Sequence, residues 1–140
     1  MFVRLSEEES LQMLGTGRVA RLGCIVDGGP YIVPINYYFE AGCIYSHSLP
    51  GLKISALKKN PRACLQVDVV KSDVQWDSVL AFGNYEEVTN PSERSNILNK
   101  LLQRFPMLTP VESAIFEDAG PPSVIVFRIR IARLSGVAEK

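Results

Sequence analysis

The sequence predicts a mainly β fold, an antiparallel set of about six or more strands with helices on its flanks. Three observations carry this. Short runs rich in Val, Ile, Tyr and Phe alternate with turn residues along most of the chain. Helix starts or helical spacing occur in only a few short segments. No repeat, linker or low-complexity tract divides the 140 residues, which have the usual length of one domain, so residues 1–140 are expected to form a single unit.

Ser6-Glu7-Glu8-Glu9 has the form of a capping box and starts a helix, in which Leu5, Leu11 and Leu14 are expected to share a buried side before Gly15-Thr16-Gly17 ends it. Val19–Val26 then reads as a strand, Asp27-Gly28-Gly29 as a hairpin turn and Tyr31–Phe39 as the return strand. Pro34 cannot donate a ladder hydrogen bond, so it marks an edge, a bulge or an opening of the sheet. Glu40-Ala41-Gly42 is a second turn and Cys43–Ser48 a third strand, completing an expected meander of three consecutive strands. Pro50-Gly51 breaks the pattern, and a short helix over Lys53–Lys59 closes at Asn60-Pro61. Ala63–Val70 and Val74–Val88 are further strands joined through Lys71-Ser72-Asp73. Asn90-Pro91-Ser92-Glu93 starts a helix with Ile97, Leu98, Leu101 and Leu102 on one stripe, and Phe105-Pro106 terminates it. Ser123–Ala132 is the last strand, with Ile125, Phe127, Ile129 and Ile131 forming one apolar face.

Lys plus Arg and Asp plus Glu both number 15, which removes the basic excess a nucleic-acid reader needs. The one local cluster, Lys53, Lys58, Lys59 and Arg62, suits a small anion. No apolar run approaches the roughly 20 residues of a membrane span, and the N-terminus has no secretory pattern, so the cytoplasm is the expected compartment. Cys24, Cys43 and Cys64 lack metal-ligand spacing and are expected to act as small core residues. Hydrolase and phosphate-loop motifs are absent, a lone histidine forms no multi-histidine metal site, and Glu86 and Glu87 point to opposite faces of their strand.

The remaining constellation is Ser46-His47-Ser48-Leu49-Pro50-Gly51-Leu52-Lys53, a strand end, a turn and a helix start. Unpaired N–H groups and the positive end of the helix dipole favour a phosphate there, with Lys53 and a Ser46 or Ser48 hydroxyl completing the cage. Read locally, a second account stands beside it: the serines cap the helix and Lys53 is a solvated surface lysine. His47, the only histidine, is either a hydrogen-bonded structural residue or a proton donor beside a ligand. Trp76, Tyr37 and Tyr38 are either core aromatics or ligand-facing ones.

In order and spacing, Gly17–Leu22, Tyr31–Tyr37, Ile44–Ser48 with Lys53, and Asn60–Ala63 resemble the pyridoxamine 5′-phosphate oxidase-like superfamily, most closely its nitroimidazole-resistance branch. Trp76–Gly83 and Ile129–Gly136 add weaker likeness. The resemblance implies a split β-barrel homodimer with flavin mononucleotide (FMN) at the subunit interface. It implies that Lys53 contacts the FMN phosphate, that Ser46, His47 and Ser48 line the phosphate and ribityl path, and that Val33, Pro34, Ile35 and Asn36 meet the polar edge of the flavin ring. Trp76 and Ser78 would approach the ring, often from the other subunit. Leu52 stands where the oxidase proper has an arginine, and the chain ends without that enzyme's arginine- and histidine-bearing segment, so oxidation of pyridoxamine phosphate is not expected. The implied activity is an FMN-dependent oxidoreductase acting on a small, flat, nitroaromatic-like substrate, with His47 as proton donor and a separate electron donor. A non-catalytic flavin- or haem-binding module, a flavin-free dimer and a deazaflavin cofactor are the rival readings.

Overall fold

The computed structural model describes residues 1–105 and 124–140. Its elements run β1 (Phe2–Arg4), α1 (Glu7–Thr16), β2 (Val19–Val26), β3 (Gly29–Asn36), β4 (Tyr38–Glu40), β5 (Cys43–Ser48), α2 (Leu52–Lys59), β6 (Arg62–Ser72), β7 (Gln75–Glu87), α3 (Pro91–Arg104) and β8 (Ile125–Glu139). The strands form one 8-stranded antiparallel sheet in the order β3-β2-β6-β7-β8-β5-β4, with β1 added to β8. Pro106 and Ser123, placed by the sequence at a helix stop and a strand start, lie outside the described residues.

The expected meander is corrected by this order. β3 pairs with β2 alone, and β5 pairs with β4 and β8, so β3 and β4 stand at opposite ends of the strand path. The expected strand Tyr31–Phe39 is in fact two strands separated at Tyr37, whose side chain is fully buried and whose hydroxyl donates to the Leu14 carbonyl at 2.7 Å. Across the gap the Ser46 hydroxyl donates to the Asn36 carbonyl at 2.6 Å. The sheet therefore curls until its ends meet through side-chain bonding, and Pro34 sits on an edge strand as its missing N–H requires.

Ala20, Leu22, Leu65, Val79, Ala81, Phe127 and Ile129 point inward and are buried. On α1 the capping box forms as expected, but Leu11 is exposed and the buried positions are Ser10 and Leu14. The helix packs on β8 with Ser10 against Gly136, and the Leu11 side faces solvent. Cys24 and Cys43 are buried, whereas Cys64 is half-buried because its phase on β6 turns it outward, which corrects its assignment to the core. A second, smaller cluster joins Ile97 and Leu101 of α3 to Tyr38, Val88 and Val126, so β8 carries apolar side chains on both faces near its start.

β8 extends to Glu139, beyond the expected stop at Ala132. The register with β7 shifts between Phe82, which faces Arg133, and Gly83, which faces Ile131. Ala132 is thus an extra residue, and this β-bulge reverses which side chains point inward. At the crossing a Cβ built on Gly83 would fall on the Arg130 carbonyl oxygen, so no side chain fits without moving backbone. Gly83→Ala should therefore destabilise the fold by about 1–3 kcal/mol, read from urea unfolding. Gly15, on the exposed side of α1 with nothing around it, supplies the contrast: Gly15→Ala should stabilise by roughly 0.5–1 kcal/mol.

Candidate functional site

The segment from Ser46 to Lys53 crosses from the end of β5 to the first turn of α2. Ser46 is buried and held by its bond to Asn36. Ser48 is also buried, and its hydroxyl donates to the adjacent Leu49 carbonyl at 2.7 Å. Neither serine caps α2. Its N-cap is Gly51, with extended backbone and no side-chain hydrogen bond, so the first N–H groups of this helix receive no side-chain acceptor from the cap. The capping account of the serines is thereby removed.

Lys53 is half-buried rather than solvated. Burial pulls its ammonium below the usual lysine range, with the neighbouring Cys24 sulfur opposing that shift. Burial pushes the Cys24 thiol up, and Lys53 opposes the change. Among the described residues the lysines in ion pairs are Lys58 with Glu87, Lys71 with Asp77 and Lys100 with Glu40; Lys53 has no carboxylate within that range. Partial burial of a cation without a counter-charge is unfavourable, and an anion brought to this helix start would relieve it.

The other assigned residues fall into two groups. Val33, Pro34, Ile35 and Asn36 lie on edge strand β3, whose outer rim no other strand covers among the described residues. Ile35 is buried and Val33 packs on the core, while Pro34 faces outward opposite Arg21. His47 follows Ser46 on β5, half-buried and opposite Val126. Trp76 and Ser78 are set apart from α2, at the start of β7 beside the C-terminal end of β8. Trp76 meets the ring of Phe2 edge-on at 6.4 Å. Ser78 accepts from Gln66 Nε2 at 3.1 Å, and Gln66 and Asp68 in turn reach Arg21, each at 3.4 Å. A polar chain thus crosses the outer sheet face from the residue opposite Pro34 to Ser78.

Tyr37 and Tyr38 are structural. Burial raises the Tyr37 hydroxyl to about 12, and it is spent on Leu14. Tyr38 stacks on Tyr45 at 5.0 Å beneath α3. Cys24, Arg21 and Gln66 were not singled out from sequence. The outward phase of Arg21 and Gln66 on their strands was the available signal, whereas the proximity of Cys24 to Lys53 depends on how α2 packs on β2. Among the described residues no group of His, Cys, Asp or Glu is arranged to hold a metal ion, and no helix is long and apolar enough to cross a membrane.

Known proteins resemble the chain at several levels. A Rhizobium meliloti protein of uncharacterized function is 43% identical over 89 residues, covering 63% of this chain and 59% of that protein, so the match spans under two thirds of the relative's length. An FAD-binding protein from Mesorhizobium loti superposes with a TM-score of 0.83 at 30% identity, covering 100% of this chain and 99% of its own. A candidate 5-nitroimidazole antibiotic resistance protein from Bacteroides thetaiotaomicron shares the fold at a TM-score of 0.77 and 18% identity, with coverages of 99% and 87%. The split-barrel architecture and the match of residues 6–138 to the family description place this chain in the pyridoxamine 5′-phosphate oxidase family.

Proposed function

We propose that the chain is a single-domain FMN-binding flavoprotein of the cytoplasm, an FMN-dependent oxidoreductase for a small flat substrate such as a nitroaromatic. The observation that carries this reading is Lys53, a half-buried cation lacking a carboxylate partner at the uncapped start of α2. The donor set suits a phosphate monoester: one ammonium, first-turn N–H groups and no carboxylate opposing them. Leu52, exposed beside Lys53, leaves the phosphate one charge partner fewer than in the oxidase proper, and the Mesorhizobium loti relative binds FAD, so the identity of the flavin is the point to test. Three free cysteines accord with a reducing compartment.

Bound flavin would supply the electron transfer, and the protein would supply position and electrostatics. Lys53 and α2 hold the phosphate end. The uncovered rim of β3, with Asn36 fixed through its carbonyl by Ser46, offers backbone groups to the polar edge of the ring. His47, beside Ser46, is the proton donor to the reduced substrate. Trp76 and Ser78, remote from Lys53 on the same chain, serve the flavin of a second copy in a homodimer. Exposed apolar side chains on the outer sheet face, Ile32 at 69% and Val70 at 66%, support its burial by that copy.

The purified protein should be yellow or take up FMN, and mass spectrometry of the released cofactor separates FMN from FAD, haem and deazaflavin. Lys53→Ala should weaken FMN binding at least about tenfold, a loss of roughly 1.4 kcal/mol, while Lys53→Arg retains most of it; unchanged affinity in the alanine variant would remove the phosphate assignment. His47→Gln should lower nitroaromatic reduction about a hundredfold with flavin content unchanged.

A pH dependence follows from the lowered pKa of Lys53. Between that value and the ordinary lysine range the unfolded chain binds more protons than the folded one, so this residue makes stability rise with pH across the window. Below the folded pKa both states are protonated and the full penalty is present. FMN binding should move the Lys53 titration back upward, as followed by NMR of its Nζ.

A further inference from the structure

Trp76 and Ser78 belong to two ladder rows that run on across β8 to the first strand of the chain. Val70, Trp76, Glu139 and Phe2 are successive partners across β6, β7, β8 and β1. Asp68, Ser78, Val137 and Arg4 form the next row of the same phase. The row between them contains Ala138 and Val3, and the full burial of Ala138 marks it as the inner one. Phe2 and Arg4 therefore stand on the outer face with Trp76 and Ser78.

The outward side chains of β1 are left with little to do inside one protomer. Phe2 is 60% exposed, and its ring meets Trp76 at 6.4 Å, closer than the roughly 10 Å between the β1 and β7 backbones. The two rings lean together over Glu139 and make one aromatic wall. Arg4 is exposed and has no ion pair among the described residues. The carboxylates of the two rows are already matched, Glu139 by the Met1 ammonium at 3.0 Å and Asp68 by Arg21 at 3.4 Å. Arg4 is thus the uncompensated charge of this corner, next to the wall on the same strand.

We propose that β1 completes the substrate site at the flavin of the second copy: the Phe2 and Trp76 rings pack on a flat aromatic substrate, and Arg4 binds a carboxylate that the substrate carries. The assignment rests on the flavin reading and names the substrate class of that same site, an anionic nitroaromatic. It uses the burial of the outer face, because docking of the second copy is what brings this corner to the partner's flavin. A guanidinium offers a carboxylate two parallel N–H groups, and the paired rings offer an aromatic ring both area and geometry.

The experiment is calorimetric titration of the untagged protein, loaded with oxidised FMN, with 4-nitrobenzoate and neutral 4-nitrobenzamide, so that binding is read without turnover. Nitrobenzoate should bind at least about tenfold more tightly than the amide. Arg4→Gln should remove that preference with flavin content unchanged, and Phe2→Ala should weaken both probes about tenfold. Co-expression of Arg4→Gln with Lys53→Glu protomers tests the crossing between subunits. At an FMN concentration that fills only intact Lys53 sites, each hybrid dimer has one site with both Lys53 and Arg4 and should bind nitrobenzoate there with unaltered affinity, as neither parent does. The proposal is overturned, with the flavin reading left standing, if the FMN-loaded protein binds the two probes equally or not at all. The same holds if Arg4→Gln or Phe2→Ala changes neither affinity, or if the hybrid shows no intact site, the result expected if β1 served the flavin of its own chain. A protein that takes up no FMN overturns both.

Discussion

β8 has to satisfy two environments with one alternating strand, and the bulge at Ala132 is the constraint on which the rest of the fold turns. Before it, Phe127, Ile129 and Ile131 face the core while Arg128 and Arg130 face outward to Glu86. Uninterrupted alternation would send Arg133 inward and Leu134 outward, burying an unpaired guanidinium at a cost of several kcal/mol. The extra residue reverses the phase, so that Leu134 packs on the core and Arg133 lies over Phe82. Because β8 pairs with β7, β5 and β1, the same reset sets the position of the chain's first strand as well as its last. Gly83 is the complementary requirement on β7, since only a residue without Cβ can pass the Arg130 carbonyl.

The split in the barrel has its own fastening. Tyr37 ends β3 by turning into the interior, where its hydroxyl reaches the end of α1, and Ser46 then bridges to Asn36. Nearby, Arg104 at the end of α3 donates to the Gly17 carbonyl at 2.5 Å, and Arg18 donates back to the Arg104 carbonyl while stacking over Phe105. Two helix ends and a strand break are thus tied together by side chain to backbone bonds. This leaves the outer rim of β3 without a pairing strand among the described residues.

Local chemistry made much of this readable in the sequence. The capping box of α1, the Asn90 cap of α3, and the Asp27-Gly28 and Ala41-Gly42 turns, whose four residues have positive φ, appear where the sequence pattern places them. Strand pairing was less readable, because Tyr31–Phe39 has a continuous apolar pattern and the break at Tyr37 depends on a partner 23 residues away. β1 is only three residues long and exists through pairing with β8, so no local pattern announced it. At the site, Lys53 was legible from the turn and helix start, but its burial was not, since that arises from packing of α2 on β2.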